Sequence, residues 1–282
     1  MKILFLCFLS CSVLQVAAQV SLPACTEKVV NQPCIGKGKS GEGIYSGEYL
    51  NGKPNGRGEW IHPNGDKYIG DMLDDKFHGK GKYIAADGEV YVGDWFDDLK
   101  HGRGVITPGN GDKYDVQIRQ GKIIHGAYFF ANGDVYLGEF WNDQFHGKGT
   151  FNSIDGEFYY GDFKEGEFDG VGNFTHANGD KYIGTWKLGK KDGKGVYLFL
   201  AENKYKGDSY SGDFLNSYFD GLGIHKKNNG EILVGNFREG KANGEGIKYL
   251  SGGVAFNSGW WEDGALVKPY LIDSSKFPIP TK

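Results

Sequence analysis

Tyr68-Ile69-Gly70-Asp71-Met72, then His78-Gly79-Lys80-Gly81-Lys82-Tyr83, then Asp87-Gly88: this run ends where Tyr91-Val92-Gly93-Asp94-Trp95 begins the same phrase again. Within each phrase the marked residues fall at i, i+2 and i+4, so they share one face of an extended strand. That face carries glycines and aromatic rings. The residues between, such as Lys80, Lys82 and Asp71, point the other way and are expected to be solvated. A glycine opposite a ring leaves room for the ring to lie across the sheet. Asp-Gly or Asn-Gly between alternating apolar runs is a strong hairpin signal, and both central positions of a type I′ turn need positive φ. Each period therefore predicts two short antiparallel strands.

The phrase recurs along the chain. It starts at Tyr45, Tyr68, Tyr91, Tyr114, Tyr136, Tyr159, Tyr182 and Tyr210, and in altered form at Leu233, in steps of 23, 23, 23, 22, 23, 23, 28 and 23 residues. The closing turns are Asn64-Gly65, Asp87-Gly88, Asn110-Gly111, Asn132-Gly133, Asp155-Gly156, Asn178-Gly179 and Asn229-Gly230. Nothing keeps a 3.6-residue apolar period for more than a turn or so. The prediction is an all-β chain: one elongated, single-layer antiparallel meander of nine to ten β-hairpin repeats. Three departures stand out. The Tyr114 unit has Val116 in place of the phrase glycine and has lost one residue before Gly126. The Tyr182 unit carries five extra residues within Phe199–Ser209, expected to protrude as a loop. The last unit degenerates into Asn257-Ser258-Gly259-Trp260-Trp261.

These residues and this period resemble the MORN repeat, whose usual phrase is Tyr-x-Gly-x-Trp, then Gly-x-x-x-Gly-x-Gly, then an Asp/Asn-Gly turn. The match is fullest from Tyr45 to Trp95, and the resemblance covers about residues 36–264. It implies a binding or scaffolding role toward protein partners or acidic lipids. Enzymes of this family carry their chemistry in a separate domain beside the repeats. About 18 residues follow the last unit, too few for such a domain, so the expectation is a protein that is not an enzyme.

Composition agrees with packed strands and tight turns. There are 47 glycines but 8 prolines and no G-X-Y period, which excludes collagen. Aromatics reach 15%, which argues against a disordered glycine-rich linker. Lys2, the apolar run Ile3 to Leu14 and the small residues Val16-Ala17-Ala18 read as a signal peptide over residues 1–18, so the chain is expected to be exported to the periplasm, cell surface or secretory lumen. The remaining organisation is an N-terminal cap over 19–44, the array over 45–264 and a C-terminal tail over 265–282. Loss of residues 1–18 removes one of the 32 basic residues and shifts the net charge from −4 to about −5. This gives no encouragement to nucleic-acid binding, which needs clustered cations against phosphates, and it disfavours anionic lipid. Cys25 and Cys34 survive cleavage. A disulfide pinning the end of the sheet is the simplest reading of such a pair in an exported chain, and acylation of Cys25 is the competing one.

Several motifs invite chemistry and are better read as structure. Gly36-Lys37-Gly38-Lys39-Ser40-Gly41 contains Gly-Lys-Ser, but Pro33 stands where a phosphate loop needs glycine and no helix follows. His78, His101, His125 and His146 occupy one slot in neighbouring units. Strand spacing places them about 10 Å apart, too far to share a zinc ion. Asn55, Asp169, Asp192, Asp220 and Asn243 fill that slot elsewhere, which points to a turn-capping side chain. Asp74-Asp75 and Asp97-Asp98 lie at turns, where Asp is favoured. No cofactor, metal or catalytic residue is expected.

The aromatic face remains. Tyr68, Tyr91, Trp95, Tyr136, Phe140, Tyr159, Phe163, Tyr182 and Trp186 are the candidate binding residues, as an exposed ring stripe marks an interaction surface. A protein partner is the first reading. A lipid, or a polysaccharide bound or hydrolysed with help from turn carboxylates, is the alternative. Oligomeric state is open, since both sheet ends present edge strands.

Overall fold

The computed structural model describes residues 21–25 and 32–279. The signal-peptide reading of residues 1–18 lies outside them. The described chain forms one sheet of 21 strands, from Cys34–Ser40 to Ala265–Pro269, in which each strand pairs antiparallel with its neighbours in sequence. It is the expected all-β meander of hairpins.

A seam of paired glycines explains why the chain folds this way. Gly47 pairs with Gly58, Gly58 with Gly70, Gly70 with Gly81 and Gly81 with Gly93. The row resumes at Gly138 and reaches Gly259. With no Cβ along this line, each keyed tyrosine lays its ring flat over the seam. A Cβ on Gly161 would sit 2.5 Å from both Gly172 Cα and Tyr159 Oη. The hydroxyl then donates to the carbonyl three residues on: Tyr68 to Asp71 at 2.7 Å, Tyr91 to Asp94 at 2.7 Å, Tyr136 to Glu139 at 2.7 Å and Tyr159 to Asp162 at 2.8 Å. A register shift follows the seam glycine of the first phrase, as between Gly70 and Asp71, and the side chain there accepts from the opposite strand, Asp71 from Lys80 N at 2.9 Å and Asp162 from Val171 N at 2.9 Å.

The turns differ from expectation. The type I′ hairpins are the other set: Asp74-Asp75 (φ 50° and 72°), Asp97-Asp98 (47° and 67°) and Asn142-Asp143 (48° and 60°) have both central residues left-handed. The Asn-Gly turns are longer. Gly65 N donates to His62 O at 3.0 Å, Pro63 and Asn64 stay at negative φ, and only Gly65 is left-handed at 103°. Proline before asparagine favours that ordinary turn, and the glycine that follows supplies the positive φ. The two classes alternate, one on each long edge of the sheet.

The outer face also departs from a purely polar one. Ile69, Val92, Leu137, Tyr160 and Ile183 form an exposed row along it. Cross-strand ion pairs run beside this row, Arg57 with Asp71 at 3.2 Å, Lys148 with Asp162 at 2.5 Å and Lys194 with Asp213 at 2.7 Å. At the C-terminal end the tail folds back over it, packing Ile272 and Phe277 against Val234, Ile247 and Tyr249. Tyr249 Oη donates to Phe277 O at 2.8 Å.

The other departures have local causes. Val116 fills the seam in the Tyr114 unit, and the Tyr114 ring packs tilted against Tyr128, with centroids 4.3 Å apart, instead. The insertion does not protrude freely, because Leu200 N and Ala201 N both donate to Asp180 Oδ1 and Ala201 is buried. At the N-terminal end Cys25 and Cys34 form a disulfide, and Cys25 N donates to Ile35 O at 2.9 Å.

Gly161→Ala should destabilise the chain by about 2–3 kcal/mol in urea unfolding, because a methyl group there has no free volume. Gly252→Ala, with nothing within 4 Å of the new carbon, should change stability by less than about 0.5 kcal/mol. Burial pushes the hydroxyls of Tyr45, Tyr91 and Tyr182 up from 10.0 to about 12. Above pH 10 the unfolded chain therefore holds fewer protons than the folded one, and stability falls as pH rises. Absorbance at 295 nm should show these tyrosines ionising only as the circular dichroism of the sheet is lost.

Candidate binding surfaces

Four side-chain positions per unit build the inner face. The keyed tyrosine is the deepest, and Tyr68, Tyr91, Tyr136, Tyr159 and Tyr182 are 0% exposed. The third residue of the phrase stands edge-on to it: Tyr91 with Trp95 at 5.1 Å and 83°, Tyr136 with Phe140 at 5.3 Å and 90°, Tyr159 with Phe163 at 5.1 Å and 89°. Trp95, Phe140, Phe163 and Trp186 are only 4–7% exposed. All nine candidate binding rings are therefore brought together, but as the floor of the face and not its reachable surface. Sheet integrity requires them whatever binds.

The reachable rings come from two positions that the sequence reading passed over. Phe77, Phe145, Phe168 and Phe219 lie face to face on the keyed tyrosines, with centroids 3.9, 3.8, 3.7 and 3.8 Å apart and planes within 16°. They are half-buried, as are Tyr83, Phe151 and Tyr197 at the end of the second phrase. The signal was available, since each of these phenylalanines immediately precedes the polar slot residue before Gly-x-Gly. Between them a cleft of about 320 Å³ opens, lined by Phe130, Phe145, Phe151, Phe163 and Phe168. Two units put a cation in the stacking position. Lys100 Nζ lies 5.1 Å from the Tyr91 ring centroid and 2.7 Å from Glu89. Lys191 Nζ lies 4.9 Å from the Tyr197 centroid and 3.2 Å from His176 Nε2, and burial pushes its pKa below that of a free lysine.

The polar motifs resolve into edge fastenings. The slot shared by histidines and aspartates faces the turn of the following unit: Asp169 accepts from Leu188 N at 3.3 Å, Asp220 from Glu239 N at 3.3 Å and His101 Nδ1 from Gln120 N at 3.5 Å. Among the described residues no three His, Cys, Asp or Glu side chains are grouped to hold a metal ion. Gly36 to Ser40 lie within the first strand. On the opposite edge, the aspartate after an Asn-Gly turn accepts from the next unit in four places, among them Asp66 from Ala86 N, Asp112 from Ala131 N and Asp134 from Ile154 N, each at 2.8 Å. Asp180 has the fullest set, with Leu200 N, Ala201 N, Asn178 and Tyr197 Oη. Burial opposes its charge, but these donors together hold its carboxyl below the ordinary 3.8.

This geometry defines the class: an open array of hairpin repeats, keyed by tyrosine on paired glycines and carrying a row of stacked rings. The family model for the MORN repeat matches eight segments, residues 45–67, 68–90, 91–113, 136–158, 159–181, 182–199, 210–232 and 234–254, and the chain belongs to that family. The unmatched stretch between 113 and 136 is the unit in which Val116 fills the seam. Two solved structures are similar at low identity. The TCP domain of Drosophila melanogaster SAS-4 (dCPAP), in complex with a proline rich motif of Ana2 (dSTIL), is 16% identical over 63% of this chain and 87% of that one, with a TM-score of 0.36. The TCP10 domain of Danio rerio CPAP is 12% identical over 71% of this chain and 98% of that one, with a TM-score of 0.27. A comparison with curated proteins finds none that matches.

Asp180→Ala should lower stability by about 1–3 kcal/mol, because it strands the buried N–H of Ala201 and the partly buried one of Leu200. A carboxyl whose folded pKa is depressed contributes stability above its ordinary value and loses it as pH falls through the folded one. The gap between native and variant unfolding midpoints should therefore narrow as pH is lowered from about 5 towards 2.

Proposed function

We propose that this chain is a non-enzymatic scaffold that holds a protein partner along its inner ring row, and that it acts outside the cytoplasm. The observation that carries this reading is the half-buried row of Phe77, Phe145, Phe168 and Phe219, each already stacked on a fixed tyrosine. A partner side chain set among them meets rings whose geometry is preorganised, so little ordering entropy is lost on binding. Rows of aromatic residues with a buried side and an open side are enriched where proteins meet. Membership of a family that serves as binding and scaffolding modules supports the same role. The export motif at residues 1–18 and the Cys25–Cys34 disulfide support an oxidising compartment. The acidic balance of the chain speaks against nucleic acid and anionic lipid as ligands.

The test replaces reachable rings and leaves the floor intact. Residues 19–282 and a variant carrying Phe77→Ser, Phe145→Ser and Phe168→Ser would be used as baits in the native extract, after circular dichroism has established that both fold. A protein retained by the native chain should be lost from the variant, with at least about a tenfold drop in affinity once it is purified. Equal retention by both would remove the ring row from the interaction. Hydrolase or transferase activity in the purified chain would overturn the non-enzymatic assignment.

A further inference from the structure

The repeats act as their own reference for what a complete inner face contains. Three of the four ring positions change together in one unit, that of strands Ile232–Arg238 and Lys241–Tyr249. Leu233 stands where the other units place the keyed tyrosine. Ala242 stands where Phe77, Phe145, Phe168 and Phe219 stack. Lys248 stands where Tyr83, Tyr128 and Tyr197 close the second phrase. Only Phe237 keeps its ring. The backbone register is unchanged, since Gly235 still pairs with Gly246 and the shift still falls between Gly235 and Phe237. The frame is therefore that of a full unit from which aromatic volume has been withdrawn.

The result is a cavity of about 300 Å³ whose apolar walls are Leu233, Phe237, Ala242 and Trp261. Benzene enters an apolar protein cavity of roughly half that size, about 150 Å³. The rim is cationic. Lys248 Nζ lies 2.9 Å and Lys227 Nζ 3.5 Å from the same oxygen, Oε2 of Glu231, so one carboxylate serves two ammonium groups. A third lysine at the rim, Lys241, has its own partner in Asp263 at 3.2 Å. His225 also lines the cavity, and its Nε2 lies 3.2 Å from Asp208 Oδ2. Two ammonium groups that share a single carboxylate therefore stand beside an opening shaped for a ring.

We propose that this cavity is a binding site for a small aromatic carboxylate, its ring filling the space left by the missing tyrosine and phenylalanine and its carboxylate bridging Lys227 and Lys248. The apolar walls select the ring by burial of its surface. The lysine pair selects the anion, because a carboxylate between two ammonium groups accepts charge-assisted bonds that a neutral amide does not. The site lies on the same inner face, one unit beyond Phe219 in the ring row assigned to a protein partner, and its small-molecule test reads it separately from that assignment. The same chemistry occurs in a free aromatic acid and at the end of a polypeptide whose last residue is phenylalanine, and the free acid is the smaller fit.

Isothermal titration of the full chain with 3-phenylpropanoate and with 3-phenylpropanamide tests the site, with the indole N–H resonance of Trp261 as the local reporter. The acid should bind and shift that resonance, and the amide should bind about tenfold more weakly. Ala242→Phe, which restores the side chain found in four other units, should reduce affinity for the acid at least about tenfold without lowering the melting temperature. Lys248→Gln, which leaves the cavity open, should weaken the acid and leave the amide unaffected. A tripeptide ending in a free phenylalanine carboxylate serves as the second source: tighter binding than the free acid assigns the site to a chain end, and weaker binding assigns it to a small molecule. Equal binding of acid and amide, unchanged binding in the Ala242→Phe variant, or no binding of either the acid or the peptide would each overturn the proposal.

Discussion

The structure depends on one contact, a tyrosine ring lying flat on a pair of glycines. The glycines weaken the strands they occupy, since they add backbone entropy to the unfolded state and bring no side chain to pack. The ring offsets this by covering two strands at once and by satisfying the carbonyl beyond the register shift with its hydroxyl. Everything else on the inner face is placed by reference to that ring. The edge-on aromatic sets its tilt, the stacked phenylalanine covers its upper face, and the shift after the glycine opens the strand enough for the hydroxyl to reach in. A sheet without a second layer can thus bury its aromatic side chains against one another within the thickness of a single row.

The two long edges solve a different problem. A meander of hairpins leaves its turns side by side beyond the ends of the strands, and the tight turns donate backbone N–H groups to the preceding unit, as Asp98 N does to Phe77 O. Side chains add to this: the aspartate after four of the Asn-Gly turns reaches one unit forward on one edge, and slot residues such as Asp169 do so on the other. The slot residues meet the following unit's turn in more than one way: Asp169 and His101 accept from its backbone N–H, Asn55 donates to Asp74, and His78 lies 3.8 Å from Asp97. The regular row of histidines thus follows the edge and does not converge on one point.

Much of this was legible from residue types and spacing. The period, the strands, the shared face of glycine and ring and the single meander all follow from i, i+2 and i+4 positions repeated across the chain. What escaped is what depends on depth. Tyr68 and Phe77 are both aromatic in the sequence, and nothing in their letters says that one is the floor and the other the surface. That order is set by which ring meets the glycine pair first. The turn classes were exchanged for a similar reason. Asn-Gly or Asp-Gly suits a two-residue hairpin in isolation, but the same longer turn forms with Pro63, Ala86, Ala131 or Ile154 before it, and Asp74-Asp75 takes the left-handed pair. The outer apolar row was hidden among charged neighbours, and the fold-back of Phe277 onto Val234 and Ile247 joins segments too distant for any local pattern.

The Tyr114 unit has a consequence for how the array behaves as a whole. Ring-to-ring contacts run without interruption from Trp60 to Trp95 and start again at Tyr114, with aliphatic Ile106, Val116, Ile118 and Ile123 packed between. In a linear stack each unit feels only its neighbours, and cooperativity is set by the coupling at each junction. A junction of a different kind in the middle divides the molecule into two blocks of unequal length, joined where the aromatic coupling changes to aliphatic. If the array opens in parts, the junction around Val116 is where the two blocks would separate.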